Sequence, residues 1–241
     1  MNSKTKATAT KEEAKLALVP KLRFLEFRGE EAWEPGVLAA ACDMQAGKFV
    51  PAASISERNL EGMFPCYGGN GLRGYTVTYT HDGTYPLIGR QGALCGNIRF
   101  AQGQFHATEH AVVATPKNQI DVDWLYYSLD LLNLNRYATG QAQPGLSVDV
   151  LNNVALAIPP SKDEQQRIAE CLGSADEIIA AQARKVDALK THKKGLLQQL
   201  FPREGETQPS RPNRVSSQSP VFWNSRKRRR GWVSPSRGKS C

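Results

Sequence analysis

The chain has 241 residues, 31 Lys plus Arg against 23 Asp plus Glu, and a formal net charge of +8. That length holds one or two domains with a hydrophobic core, and an apolar fraction of 40%, a little under the globular average, places at least one segment outside that core. Three classes are excluded: no apolar run approaches the roughly 18 residues of a membrane span, the polar, Lys-rich start MNSKTKATATKEEAKLAL has no secretory h-region, and the sparse cysteines Cys42, Cys66, Cys95, Cys171 and Cys241, with no C-x-x-C, read as reduced thiols of a cytosolic protein.

A basic balance favours a polyanionic partner, nucleic acid first, but the charge is uneven. Residues 1–18 carry net +2, residues 19–160 net −3, residues 161–201 net +1 and residues 202–241 net +8. Residues 1–18 read as a polar extension. In residues 19–160 short apolar stretches alternate with Gly and Pro turns: YTVTY at 75–79, YPLIG at 85–89, NIRF at 97–100 and HAVVAT at 110–115. This grammar predicts a turn-rich mixed β domain. One helix interrupts it over DVDWLYYSLDLLNLNRYA, with Trp124, Leu125, Ser128, Leu131, Leu132 and Asn135 on one face and Asp121 or Asp123 as its cap. NNVALAI at 152–158 reads as a closing strand stopped by Pro159 and Pro160.

The pattern then changes. Ser161 and Glu164 fit a capping box. From Ile168 an alternating four–three spacing runs through Leu172, Ala175, Ile179, Gln182, Val186, Leu189, Lys193, Leu196 and Leu200. This is a coiled-coil seam of roughly 50 Å, which demands a partner helix. No second heptad segment follows, so the partner is a separate chain, unless the helix packs back on its own domain. Residues 202–241, rich in Ser, Pro and Arg, read as a disordered basic tail. The fold class is therefore α+β: a turn-rich mixed β domain over 19–160, one long coiled-coil helix over 161–201, and the tail.

Evidence for catalysis in the sequence is thin. Cys95 with His106 and His110 suggests a thiol nucleophile and a base, but no orienting Asn or Asp has a matching context. The two histidines are i,i+4 in what reads as strand, where that spacing has no ligand geometry, so no metal is expected. Glu109 is a lone carboxylate beside a His. GGNGLRGY at 68–75 lacks the Lys and Ser/Thr of a phosphate loop and reads as a hairpin or protruding loop. As a binding surface the same stretches offer more: Tyr67, Asn70, Arg73 and Tyr75 on a glycine frame, Arg90 and Gln91 in GRQG, and Gln141 and Gln143 in GQAQPG. Arg reads guanine and Asn or Gln reads adenine through bidentate hydrogen bonds, and glycine lets backbone approach phosphate. Because the domain is net negative, DNA contact requires Lys48, Arg73, Arg90, Arg99 and Arg136 to be segregated from its acids.

In order, PKLRFLEFRGEEAWE at 20–34, PCYGGNGLRGYT at 65–76, PLIGRQGALCGNI at 86–98, ATEHAVV at 107–113, GQAQPGLSVDVLNNVALAIPPSKDEQQRIAECL at 140–172 and KGLLQQLF at 194–201 resemble one half of the DNA-sequence specificity (S) subunit of type I restriction-modification systems. The resemblance covers about residues 19–201. It implies a target recognition domain that reads half of a split DNA site in the major groove. It implies a spacer helix that pairs antiparallel with a counterpart through Ile168, Leu172, Ile179, Val186, Leu189, Leu196 and Leu200. It implies no catalysis and no cofactor in this chain: S-adenosylmethionine, ATP and Mg belong to partner methylation (M) and restriction (R) subunits, which methylate adenine and cleave DNA. The expected partners are thus double-stranded DNA, M and R subunits, and a second copy or another S subunit, in the cytoplasm and away from membranes. Family members usually carry two such halves. Here FPREGETQP at 201–209 resembles the junction into a second half, after which the resemblance stops. This is the expectation for a reading frame lost after about Pro209. The alternative is a non-functional remnant that only scaffolds methylation subunits.

Overall fold

The computed structural model describes residues 18–92, 94–140 and 144–201. The chain divides into two compact units, Met1–Asp187 and Ala188–Cys241. In the first, β1 (Glu34–Val37), a one-turn α1 (Leu38–Ala41) and β2 (Cys42–Ala46) lead into β3 (Phe64–Gly68), β4 (Gly71–Thr76), β5 (His81–Gly89), β6 (Ile98–Ala107) and β7 (Ala111–Pro116). Then come α2 (Val122–Leu131), α3 (Val148–Asn152) and β8 (Ala155–Ile158), and α4 (Lys162–Leu200) begins in this unit and contributes its residues 188–200 to the second. β1 and β8 form an antiparallel pair, and the other six strands form one sheet in the order β2-β7-β5-β6-β3-β4. Its only parallel pairing among the described residues is β3 with β6.

The sheet follows from residue alternation. Ile88, Ile98, Val112 and Ala114 point to one face and join Trp124, Leu125 and Leu129 of α2 in the main core. Leu87, Ala101, Phe105, Ala107 and Val113 point to the other and pack with Tyr67 and Tyr85. β7 is buried on both faces along its first four residues, which is why it reads as an unbroken apolar run. Pro86 stands in β5 opposite Phe100, one residue before pairing with β7 begins at Leu87. Its missing N–H therefore falls where β5 has a partner on one side only.

Several expectations are corrected. YTVTY does not continue as strand past Thr76, and the closing strand begins at Ala155, because residues 148–152 form α3 capped by Ser147. The central helix is shorter than its apolar period suggested. Asp121 caps it, accepting from the N–H groups of Asp123 and Trp124 at 3.1 and 3.0 Å, and it ends at Leu131. Asn133 then takes a left-handed conformation, φ 48°, that turns the chain. The buried face is therefore Trp124, Leu125 and Leu129, and Leu131 is 85% exposed.

α4 is a single helix of 39 residues. Only half of the expected capping box forms: Ser161 Oγ accepts from the Glu164 N–H at 3.4 Å. The Glu164 carboxylate turns instead to Arg23 and to the Trp33 indole N–H. Gln165 is also buried. Its oxygen accepts from the Asp121 N–H at 2.8 Å and its amide donates to the carbonyls of Pro159 and Gln119 at 3.0 and 3.2 Å. Thus E-Q-x-x-I-A is a docking sequence, in which two polar side chains tie the helix start to the domain while Ile168 and Ala169 enter its core.

Candidate nucleic-acid interface

GGNGLRGY forms the tip and second strand of the β3–β4 hairpin, as its glycines predict, with a bulge at Cys66–Tyr67. GRQG follows directly at the end of β5. The structure places the two against each other. Arg90 donates its N–H to the His110 carbonyl at 2.8 Å. A Cβ on Gly69 would stand 2.9 Å from the His110 carbonyl oxygen and 3.2 Å from that of Gln91, and one on Gly89 would overlap the Gly69 carbonyl. Only glycine permits this backbone contact. The result is an open cleft of about 510 Å³ lined by Asn70, Arg73, Gln91, His110 and the intervening glycines.

Of the expected contact residues, Asn70, Arg73 and Gln91 line the cleft and are exposed. Arg90 borders it through its backbone. Arg99, exposed on β6, lies over Gly71, its Nε 3.3 Å from where a Cβ would be. Tyr67 is half-buried and meets Phe105 edge-on at 5.7 Å; burial pushes its phenol above the usual range, so it serves the core at least as much as the surface. Tyr75 is half-buried on β4, bridged through its backbone to Ser56 at 2.8 Å. Lys48 and Arg136 are exposed but do not line the cleft. Burial first, then Lys48 and His106, hold the His81 imidazole low, which places the Lys48 charge near His81. The Arg136 guanidinium stacks 4.7 Å from the Tyr137 ring. Gln141 and Gln143 lie outside the described residues, as do residues 1–17 and the tail at 202–241.

Sequence reasoning missed the floor of the cleft. The turn between β6 and β7 brings Thr108, Glu109 and His110 beneath the hairpin. Thr108 Oγ1 and Glu109 Oε2 are buried without a hydrogen-bond partner. His110 Nδ1 lies 2.7 Å from Gln91 Oε1 and its Nε2 3.1 Å from Glu109 Oε1. Burial raises the Cys66 thiol; Arg73 opposes the rise and Glu109 adds to it, so both charges act at the cleft's base. The signal available in sequence was ATEHAVV, where a polar triplet interrupts two buried strands.

Cys95 and the histidines do not form a catalytic group. Cys95 is buried and its Sγ faces Asn135 Nδ2 at 3.5 Å, while the His106 ring bonds Thr78 Oγ1 and the Lys48 carbonyl at 3.0 and 3.1 Å. Among the described residues no set of three or more His, Cys, Asp and Glu is arranged to hold a metal ion. No helix there is long and apolar enough to cross a membrane. A larger cleft of about 800 Å³ runs past Asp43, Lys117, Pro159 and Gln165, but its polar groups hold the fold together: Lys117 Nζ donates to the Ala39 carbonyl at 2.6 Å and Gln165 ties down α4.

Along α4 the apolar seam is uncovered. Leu172, Ile179, Val186, Leu189, Leu196 and Leu200 are 40% to 72% exposed. Ile168 is taken up by the domain's own core, so the exposed seam begins at Leu172. The Tyr127 hydroxyl donates to Asp176 Oδ2 at 2.8 Å, which ties α4 to α2 about four turns from its start.

A family model described as type I restriction modification DNA specificity domain matches residues 30–191. The chain is 44% identical over 158 residues to the type I restriction enzyme EcoprrI specificity subunit of Escherichia coli, covering 65% of this chain and 39% of that protein. It is 30% identical over 108 residues to a putative type I restriction enzyme specificity subunit of Haemophilus influenzae, covering 44% of this chain and 28% of that one. The fold resembles the type I restriction-modification S subunit from M. genitalium, with a TM-score of 0.60 at 19% identity over 72% of this chain and 46% of that chain. It also resembles a chain from a structure of the type I R-M system, with a TM-score of 0.56 at 19% identity over 76% of this chain and 47% of that one. The chain thus spans less than half the length of these relatives.

Proposed function

Because the chain belongs to the family of type I restriction modification DNA specificity domains, we propose that it is a half-length specificity subunit that reads one DNA half-site and pairs through α4 with a second copy. The observation that carries this reading is the pairing of a Gly-framed cleft holding Asn70, Arg73 and Gln91 with a helix whose seam is exposed from Leu172 to Leu200. Arg99 and Arg90 at the rim supply phosphate contacts, which dominate affinity and weaken with salt; Asn70, Arg73 and Gln91 supply base-edge contacts, which set sequence. Lys48 and Tyr75, away from the cleft lining, and Gln141 and Gln143, which lie outside the described residues, are further contacts in this reading on the ground of their residue type.

In an antiparallel pair of α4 helices centred between Gln182 and Val186, Leu172 faces Leu196 of the second copy, Ile179 faces Leu189, and Ala175 gives room to Lys193. Polar Gln182 and Lys193 then fix the register at a cost in stability. The two-fold pair places two identical readers on DNA, so the target is an inverted repeat with a fixed gap. The chain itself performs no catalysis. Methylation subunits that bind S-adenosylmethionine, and restriction subunits that use ATP and Mg, carry the chemistry in the cytoplasm.

Sedimentation of the full chain, alone and with randomised duplexes, tests this. A dimer that enriches duplexes with two inverted half-sites is expected. A monomer that enriches none would leave only the remnant scaffold.

A further inference from the structure

One end of the α4 seam has no obvious cover. Continuing the register in which Leu172 faces Leu196 of the second copy brings Leu200 opposite Ile168. Ile168 is already packed in part against the domain's own core, and Leu200 is 72% exposed, so Ile168 alone leaves most of that leucine in water. The root of α4 holds what completes the cover. Leu22, Arg23 and Phe24 run beside Ile168, Cys171 and Leu172 and enclose an open apolar groove of about 370 Å³. Its outer wall, Leu22, is 93% exposed. The groove is preformed. Arg23 is pinned by the Glu164 carboxylate at 2.8 Å, and Arg167 bonds Glu26 at 3.4 Å while its guanidinium lies 5.4 Å from the Phe24 ring centre. These contacts hold the N-terminal segment against α4 and leave Leu22 uncovered.

We infer that this groove seats the far end of the second copy's α4, with Leu200 entering between Leu22, Phe24 and Ile168 and Leu196 resting on Leu172. The inference rests on the reading that α4 pairs with a second copy. The groove is continuous with the seam, because Ile168 and Leu172 belong to both. The end that reaches it matches it in chemistry: Leu196, Leu197, Leu200 and Phe201 are 41% to 72% exposed. The seam also selects the direction. In an antiparallel pair Lys193 meets Ala175, whereas in a parallel pair it meets its own charge inside the seam. Two-fold symmetry fills both grooves at once. Each α4 is then held at its root by its own domain and at its far end by the other copy's domain, which fixes the gap between the two readers more firmly than the seam alone.

Two measurements on the full chain test this. The first is the dimer dissociation constant from sedimentation equilibrium. Leu22→Asp puts a charge into the groove at a position too exposed to matter for folding of one copy. It weakens the dimer by about tenfold, and adding Leu200→Lys to the same chain recovers most of the loss. The second is disulfide mapping. Cys171, whose thiol is exposed, and Gln199 each stand just before an equivalent seam position, Leu172 and Leu200, so they flank the seam on the same side and antiparallel pairing brings them together at the groove's rim. Within one copy they are roughly 40 Å apart along the helix. Mild oxidation of Gln199→Cys therefore links position 199 of one copy to Cys171 of the other, and mass spectrometry finds that link. A dimer whose dissociation ignores Leu22→Asp, or that gives no 171–199 link, overturns the groove and leaves the pairing standing. A chain that stays monomeric overturns the pairing and the groove with it.

Discussion

Arg23 and Glu164 stand 141 positions apart in sequence and meet as a two-pronged ion pair, Nε to Oε1 and Nη2 to Oε2, each at 2.8 Å. The Trp33 indole adds a third hydrogen bond to Oε1 at 3.1 Å. A buried carboxylate is tolerable only when its charge and lone pairs are met in this way. The pair joins the N-terminal segment, the β1 approach and the first turn of α4, so the direction in which α4 leaves the domain depends on it.

Glu164→Ala therefore leaves a guanidinium facing an empty site at the helix root. It lowers the urea midpoint well beyond the effect of Glu26→Ala. The latter breaks the half-exposed Arg167–Glu26 pair, 3.4 Å apart, and is worth at most about 1 kcal/mol. Equal midpoints for the two variants would show that Glu164 does not anchor the helix.

Gly89→Ala forces a methyl into the Gly69 carbonyl. Overpacking of this kind costs about 1 to 3 kcal/mol, and here it also separates the two loops that make the cleft. Urea unfolding should show that loss, and duplex binding should fall more than stability alone explains. Unchanged binding would mean that contact between the loops is not needed to form the reading surface.

Arg73 and Arg99 are expected to fail differently. Arg99→Ala, at the rim, removes a phosphate contact and lowers the slope of log affinity against log salt by about 0.9 without changing sequence preference. Arg73→Ala, inside the cleft, relaxes the preference at one base pair by about 1 to 3 kcal/mol. Salt titrations of duplex binding, with matched and singly mismatched sites, separate the two roles.

Thiol chemistry offers a check on the fold. Cys42, Cys66 and Cys95 are buried and Cys171 is exposed. Burial, reinforced by Asp43, pushes the Cys42 thiol up to about 12. Its raised value makes the folded state hold the proton more tightly than the unfolded one, so its contribution to stability is intact below 9.0 and lost as pH climbs toward about 12. Near neutral pH, mass spectrometry after iodoacetamide should find Cys171 modified and the three buried thiols intact. Rapid modification of Cys42 in the native protein would contradict the core described here.

Much of the architecture was legible because local pattern and burial agree. YPLIG and HAVVAT became β5 and β7, and the four–three spacing became α4, since each carries its own period. Legibility failed where a distant partner decided the outcome. Glu164 fits a capping box locally, but Arg23 claims its carboxylate from the other end of the domain. The central helix pattern ran on to Asn135, but the left-handed Asn133 ends it after Leu131. For the site, residue type and glycine spacing identified the hairpin and GRQG. Their meeting through Gly69 and Gly89, and the His110 turn beneath them, depend on β5, β6 and β7 lying side by side, which spacing does not encode. The net charge was the least informative feature, because its excess falls in residues 202–241, outside the described residues.

The most direct test of a half-length specificity subunit acting as a symmetric pair is co-expression with cognate methylation subunits, followed by mapping of modified adenines. The account predicts methylation at an inverted repeat of two identical half-sites with a fixed gap, abolished by Val186→Glu in the exposed seam. Methylation at an asymmetric or undivided site, or none while the subunits co-purify, would contradict it.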